Sequence, residues 1–372
     1  MNVGIMVLPG TASPDGLADL GVRSLRVRYQ GLLADGRLDP SGVDAFRTAW
    51  QPFARAGFRI HAVTPFPSDL PGGDPQAPSW SAAWRRAGAA LGEALGDLVE
   101  SWQIGNELNI WQFRAPLRST EEAARFVHAL ATGLRETAPE ARLGTNAFGT
   151  GDGAAELFRL LYGGPMGATL DYVGIDAYPG CWEPGGPERW PAIIDRVSVL
   201  GGGRPIAVCE IGFPSRGEVA APGELEGLLR RLGYARLADV EADRGPLLAA
   251  TPEPLASAFA SLPKEAWAED FEDLGCHLLR KWRWGWGEGP HSPEKQAAYF
   301  GTALGSLLVD PRIEEVLLFM YRDASACWTC GRPDCPLETA WGFVDQEGRA
   351  KPVVPVVREL LDRFGLLPAV GG

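Results

Sequence analysis

The chain has 372 residues, with 47 Asp and Glu against 35 Lys and Arg and a net charge of −12. At 45% hydrophobic and 22% charged residues it has enough apolar surface to bury, which excludes disorder as its main state. The acidic balance argues against a surface built for a phosphate backbone, so no nucleic acid is expected as a partner, and no apolar run approaches the roughly 18 residues of a membrane span.

The first residues, MNVGIMVLPG, have no basic segment, no long apolar stretch and no small-residue cleavage site. A cytoplasmic protein without a signal peptide is therefore expected. From Val3 onward, short apolar runs alternate with helical patterns, the signature of βα units and a parallel sheet. The predicted strands are Val3–Leu8, Ser24–Tyr29, Arg59–Thr64, Ser101–Gly105, Arg142–Thr145, Tyr172–Ile175, Pro205–Cys209 and Glu315–Met320. Helical patterns fall at Pro14–Leu20, Gly42–Ala56, Ser81–Leu98, Thr120–Thr137, Ala154–Leu161, Pro191–Val199, Pro293–Leu308 and Val353–Phe364. This rhythm predicts an α/β fold, a (β/α)8 TIM barrel. A doubly wound sheet would use fewer strands and a glycine-rich phosphate loop, and Gly149-Thr-Gly151-Asp-Gly153 lacks that loop's spacing.

One unit departs from the rhythm. Between the seventh strand and its helix lie about 80 residues, Ser215 to Ser292, far more than a usual loop. Helical patterns at Glu224–Ala242 and Leu255–Leu279, then Lys281-Trp-Arg-Trp-Gly-Trp286, predict an inserted helical subdomain on the C-terminal face of a single barrel domain spanning 1–372.

Barrel chemistry belongs at the C-terminal ends of strands, where two carboxylates stand out. Glu107 lies in Ser101-Trp-Gln-Ile-Gly-Asn-Glu-Leu-Asn109, and Glu210 in Pro205-Ile-Ala-Val-Cys-Glu-Ile-Gly-Phe-Pro214. Their separation of 103 residues (210 − 107) spans about three βα units, which assigns them to strands 4 and 7, facing each other across the mouth. Two carboxyls about 5 Å apart suit retaining glycoside hydrolysis, one attacking the anomeric carbon and the other serving as acid and then base. Asp176 and Asn146, at the ends of strands 6 and 5, are candidate partners of sugar hydroxyls. His61 on strand 3 is a weaker candidate, its competing reading a satisfied core histidine. Strand alternation points Cys209 away from the barrel interior, as a small buried hydrophobe.

The pattern resembles glycoside hydrolase clan A. Gly105-Asn106-Glu107 is similar to the clan's acid/base motif after strand 4, and Val208-Cys209-Glu210-Ile211-Gly212-Phe213-Pro214 to its nucleophile strand. Gly21-Val-Arg-Ser-Leu-Arg26 resembles the second strand, with Arg26 at the position of the clan's arginine beside the nucleophile. Arg28, or a purely structural role for both arginines, is the alternative. Gly174-Ile-Asp-Ala-Tyr178-Pro resembles the sixth strand, whose tyrosine touches the nucleophile, and Trp341-Gly-Phe-Val-Asp-Gln-Glu-Gly348 the segment after the eighth. The resemblance implies a retaining O-glycosidase acting on a β-linked or similar equatorial glycoside, with no cofactor required. It implies Glu107 as acid/base, Glu210 as nucleophile and Asn106 on the sugar 2-hydroxyl. The partner it implies is an oligosaccharide, a polysaccharide or a small glycoside. Asn-Glu-Leu-Asn followed by Trp111 resembles the galactanase and mannanase branches more than the β-glucosidase branch, and Leu108 stands where the clan usually has proline.

Trp111, Trp182 and Trp328 follow strands 4, 6 and 8, where flat indoles would wall a sugar subsite. Trp282, Trp284 and Trp286 alternate along the insertion, either extending a groove or packing it onto the barrel. Cys327, Cys330 and Cys335 form a C-x2-C-x4-C run. A structural zinc is one reading of it, with the fourth ligand drawn from Cys181, Cys276, His277 or His291; a disulfide or free thiols are the others. Two further functions compete with the glycosidase: a carbohydrate-binding barrel without catalysis, and a metal-dependent hydrolase using that cysteine run. The second lacks an HExxH and has only four histidines to draw on.

Overall fold

The computed structural model describes residues 1–33, 35–69, 74–263 and 267–367; for 267–270 only the backbone is described. Eight parallel strands close into a barrel: β1 (Asn2–Met6), β2 (Ser24–Arg28), β3 (Arg59–Val63), β4 (Ser101–Gln103), β5 (Arg142–Phe148), β6 (Tyr172–Ala177), β7 (Ile206–Ile211) and β8 (Ile313–Leu318). Each pairs with the next, and β8 returns to β1 with Ile5 opposite Leu318. The expected (β/α)8 TIM barrel is the fold found.

Local sequence explains the connecting helices. Ser13, Ser119 and Ser292 cap Pro14–Leu20, Thr120–Thr137 and Pro293–Leu307, each accepting a hydrogen bond from an N–H of the first turn. Proline opens the first and last of these, where it forfeits no helical hydrogen bond. Their apolar faces bury Val, Leu, Ile and Phe against the outer face of the strands in one continuous core.

The barrel interior is different, and strongly polar. Its lower layer holds His61, whose Nδ1 lies 2.9 Å from Glu315 and whose Nε2 lies 3.2 Å from the Tyr172 hydroxyl. Tyr172 fills space that small neighbours leave open: a Cβ on Gly144 would lie 2.4 Å from its ring. His61 is thus the satisfied core histidine, its two ring nitrogens partnered by Glu315 and Tyr172.

In the 215–292 segment the pattern at Glu224–Ala242 forms two helices, Glu224–Arg231 and Leu237–Ala242, because Gly233 turns the chain at φ +92°. The pattern at Leu255–Leu279 forms Leu255–Ser261 and Trp267–Leu279, with 264–266 outside the described residues. A second apolar cluster packs these helices against the loops after β6 and β8, through Tyr178, Trp282, Phe319 and Trp341. No helix among the described residues is long and apolar enough to cross a membrane.

Candidate active site

The strand ends converge on a buried polar network. Arg26 comes from β2, Gln103 from the end of β4, Asn106 and Glu107 from the turn after it, Asn146 from β5, Asp176 from β6, Tyr178 from just beyond it and Glu210 from β7. Every one of these side chains is buried.

Two local backbone features aim the carboxylates. After β4 the chain turns through left-handed Gly105 at φ +68° and then Glu107 at φ +43°. A non-glycine residue there is uncommon and persists only where its surroundings fix it. The Gly105 N–H donates to Thr64 Oγ1 at 2.9 Å and the Glu107 N–H to Asn146 Oδ1 at 3.0 Å. In β7 the register slips: Val208 sits opposite Ile175 but Glu210 opposite Asp176, leaving Cys209 as the extra residue of a bulge. This corrects the expectation for Cys209. Its sulfur lies on the interior side beside Gly174 and clusters with Tyr172 and Ala207. The bulge lets two consecutive residues, Cys209 and Glu210, both face inward, which strict alternation forbids.

Arg26 organises the network. Its Nη1 donates to Glu210, its Nη2 to Asn106 Oδ1 at 2.8 Å and its Nε to Gln103 Oε1 at 2.9 Å. Arg28 instead pairs with Asp69 at 2.9 Å and lies over Phe66. The Tyr178 hydroxyl donates to the other oxygen of Glu210, so both carboxylate oxygens hold a donor. Asn106 Oδ1 accepts from Arg26, Gln103 and Asn146, which leaves its amide N–H groups for another partner.

Asn146 has a different task from the one expected. Its Nδ2 donates to Asn106 and Asp176, and its Oδ1 accepts from Gln103 and from the Glu107 N–H. Both donors and both lone pairs are taken, so it positions Glu107 and has nothing left for a sugar hydroxyl. Gln103, which the sequence reading missed, is the second hub, its amide bridging Gly105 O, Asn106 and Asn146. The available signal was a glutamine ending a strand whose three residues are all buried.

Glu107, Asp176 and Glu210 bring one carboxylate oxygen each within 4.8 Å of one another. Burial, and then the charge of Glu210, push the Glu107 carboxyl well above the usual carboxylate range, more than its hydrogen bond with Asp176 and the charge of Arg26 bring it down. Asp176 is pushed up for the same leading reasons, and its Oδ1 has no partner unless a proton lies between it and Glu107. Burial opposes the charge of Arg26, but Glu210 and Asp176 outweigh it, so the guanidinium stays ionised beside Glu210. One carboxyl, that of Glu210, is thus held by guanidinium and hydroxyl donors, opposite that of Glu107, whose protonated form burial favours.

The tryptophans divide. Trp328, after β8, is 48% exposed and stands edge-on to Phe319 at the mouth. Trp111 donates its indole N–H to Ser261 O at 3.2 Å, and Trp182 packs 5.1 Å from Trp282, so both join the barrel loops to the 215–292 segment. Trp282 is fully buried, Trp286 packs on Phe213 and Tyr299, and Trp284 is 37% exposed. Glu338, also missed from sequence, follows the cysteine run. Burial, Cys327 and Glu210 push its carboxyl well above the usual range, against the opposing indoles of Trp341 and Trp328. Nothing local marked it, since it reaches the mouth only through the fold of the loop after β8.

Among the described residues, two groups have a donor set that a metal could use: the three carboxylates, and His277 with Cys327, Cys330 and Cys335. In the first, Arg26 already supplies the compensating cation. In the second, no cysteine is in a disulfide.

No protein-family model matches the sequence, and no curated protein matches it. Solved structures do match in fold. An exo-β-1,4-mannosidase from an Opitutaceae bacterium aligns over 99% of this chain and 61% of its own, at 13% identity and a TM-score of 0.59. A family 39 glycoside hydrolase from Bacteroides cellulosilyticus aligns over 96% of this chain and 63% of its own, at 12% identity and TM-score 0.58. The family 1 β-glucosidase of Thermotoga maritima aligns over 94% of this chain and 85% of its own, at 14% identity and TM-score 0.56. The chain thus spans less than two thirds of the length of the first two. At these identities the likeness is one of fold: the chain carries the (β/α)8 barrel found in these glycoside hydrolases.

Proposed function

We propose that this protein is a retaining glycosidase that cleaves β-linked O-glycosides, with Glu210 as nucleophile and Glu107 as acid/base. The observation that carries the reading is the approach of these two carboxyls to within 4.8 Å across the barrel mouth, each in an environment suited to its role. Retaining enzymes hold the pair about 5–5.5 Å apart, whereas inverting enzymes need about 6.5–9.5 Å for an intervening water. The folds shared with a β-mannosidase and a β-glucosidase support a β-linked sugar as the substrate class.

In the first step a Glu210 oxygen bonds to the anomeric carbon as the glycosidic C–O bond breaks, and Glu107 gives its proton to the leaving oxygen. Esterification removes the negative charge of Glu210, one of the causes that held the Glu107 proton. Glu107 therefore becomes a base just when one is needed. In the second step it takes a proton from water, whose oxygen displaces Glu210 from the anomeric carbon. Asn106 offers its free amide N–H to the 2-hydroxyl, and Trp328 offers an apolar face for a sugar ring. All protons in this scheme move between these side chains, sugar and water.

A panel of aryl β-hexosides tests the reading on wild type and Glu210→Ala. Turnover of at least one member, lost in the variant by several orders of magnitude, is the expected result. Sugar binding in wild type without turnover of any member would make the protein a non-catalytic carbohydrate-binding barrel instead.

A further inference from the structure

Four soft donors from three separate elements meet behind the mouth. Cys327 and Cys330 lie in the loop after β8, Cys335 begins the short helix Pro336–Thr339, and His277 comes from Trp267–Leu279 in the 215–292 segment. All four are buried, and their ligand atoms lie within 4.8 Å of one another. His277 Nδ1 is 3.5 Å from Cys327 Sγ and 3.7 Å from Cys335 Sγ. A tetrahedral ion with bonds of about 2.3 Å to sulfur and about 2.0 Å to nitrogen separates those two atom types by about 3.5 Å.

Hydrogen bonding alone does not account for this geometry. Both sulfurs lie against the same Nδ1 atom, whose single in-plane lone pair accepts at most one of their protons. A disulfide would join two sulfurs and leave the third beside an unanswered imidazole. One cation answers all four. The cysteine turn is also shaped for it: the Cys330 N–H donates to Cys327 Sγ at 3.4 Å, the Gly331 N–H to Cys327 O at 2.7 Å, and Gly331 takes φ +71°.

We propose that Cys327, Cys330, Cys335 and His277 bind one Zn²⁺ in a closed four-ligand site that clips the 215–292 segment to the loop after β8. Three sulfurs and one imidazole select Zn²⁺ over hard, oxygen-seeking cations, and four protein ligands leave no open position, so the role is structural. Binding breaks three S–H bonds, releases three protons to solvent and forms three metal–sulfur bonds and one metal–nitrogen bond. The clip fixes Trp328, next to Cys327, and Glu338, three residues after Cys335, so the metal sets one wall of the mouth without touching substrate. The inference rests on these donors and stands whether or not the chain is a glycosidase.

The test is metal content by mass spectrometry on the full chain, purified under reducing conditions, followed by Co²⁺ titration of protein stripped with a chelator. The expected result is about one Zn²⁺ per chain as isolated, and tetrahedral ligand-field bands with thiolate-to-Co²⁺ charge transfer at one equivalent. His277→Ala and Cys335→Ser should each bind Co²⁺ at least about tenfold more weakly. His277→Cys, which restores four ligands, should hold one metal again, as should Cys276→Ser, whose thiol is outside the set. This pair keeps the test meaningful if the ligand-removing variants fold poorly. A chain that carries no zinc and gives no tetrahedral Co²⁺ spectrum overturns the proposal. So does undiminished metal binding in both His277→Ala and Cys335→Ser.

Discussion

Glu210 accepts hydrogen bonds from Arg26 and Tyr178, whereas Glu107 faces two other carboxyls in a buried pocket. This contrast makes separable predictions. Glu107→Ala should lose about 10²–10⁴-fold in kcat/KM on a glycoside with a poor leaving group, yet little of the first step on a dinitrophenyl glycoside, whose leaving oxygen needs no proton. Equal losses on both would remove Glu107 from the acid role. The alkaline limb of kcat/KM against pH should lie above the ordinary carboxylate range, because activity falls as pH rises through the raised value of Glu107. At this scale Arg26, Asn106, Glu107, Tyr178 and Glu210 were legible because each sits at a strand end within a motif. Gln103, Glu338 and the inward face of Cys209 were not: the first is a hub only in three dimensions, the second depends on a long loop, and the third on a bulge that breaks alternation.

The helices Pro78–Leu95 and Thr120–Thr137 cross at glycine. A Cβ on Gly133 would lie 1.9 Å from the Arg85 carbonyl oxygen and 2.7 Å from the Ala89 nitrogen. Glycine-to-alanine inside a helix normally stabilises by about 1 kcal/mol, but overpacking against rigid backbone costs about 1–3 kcal/mol. Gly133→Ala should therefore lower Tm, and a raised Tm would contradict the close crossing. Trp282 and Trp284, two residues apart, make a second contrast. Trp282 is fully buried between Trp182 and Trp341, so Trp282→Ala should cost about 3–5 kcal/mol in denaturant unfolding. Trp284→Ala, at 37% exposure, should cost far less. Comparable losses at both sites would contradict the packing of this segment. Barrel helices were readable to within a few residues, and Pro14–Leu20 and Thr120–Thr137 to the residue, because their caps are written locally. The insertion's helices were read too long, since apolar periodicity ran on through Gly233 while the backbone turned there.

Across the whole molecule, one apolar core binds helices to the barrel and a second binds the 215–292 segment to the loops above it. The second core is built on short helices, such as the six-residue Leu237–Ala242 and Gly245–Ala250, which gain little stability of their own. Their amides should exchange with deuterium faster than those of Thr120–Thr137, and equal protection would mean that the segment unfolds only with the barrel. The barrel order was legible because each βα unit repeats the same local pattern, while the insertion's seating was not, because its contacts join residues as distant as Trp111 and Ser261. The central claim, that Glu107 and Glu210 act on opposite faces of one anomeric carbon, is tested most directly by adding azide to the two alanine variants and identifying the glycosyl azides by NMR. Glu107→Ala should yield the β-azide, formed by attack on the covalent intermediate, and Glu210→Ala the α-azide, formed by direct displacement. The same anomer from both variants, or normal turnover by Glu210→Ala without azide, would contradict the account.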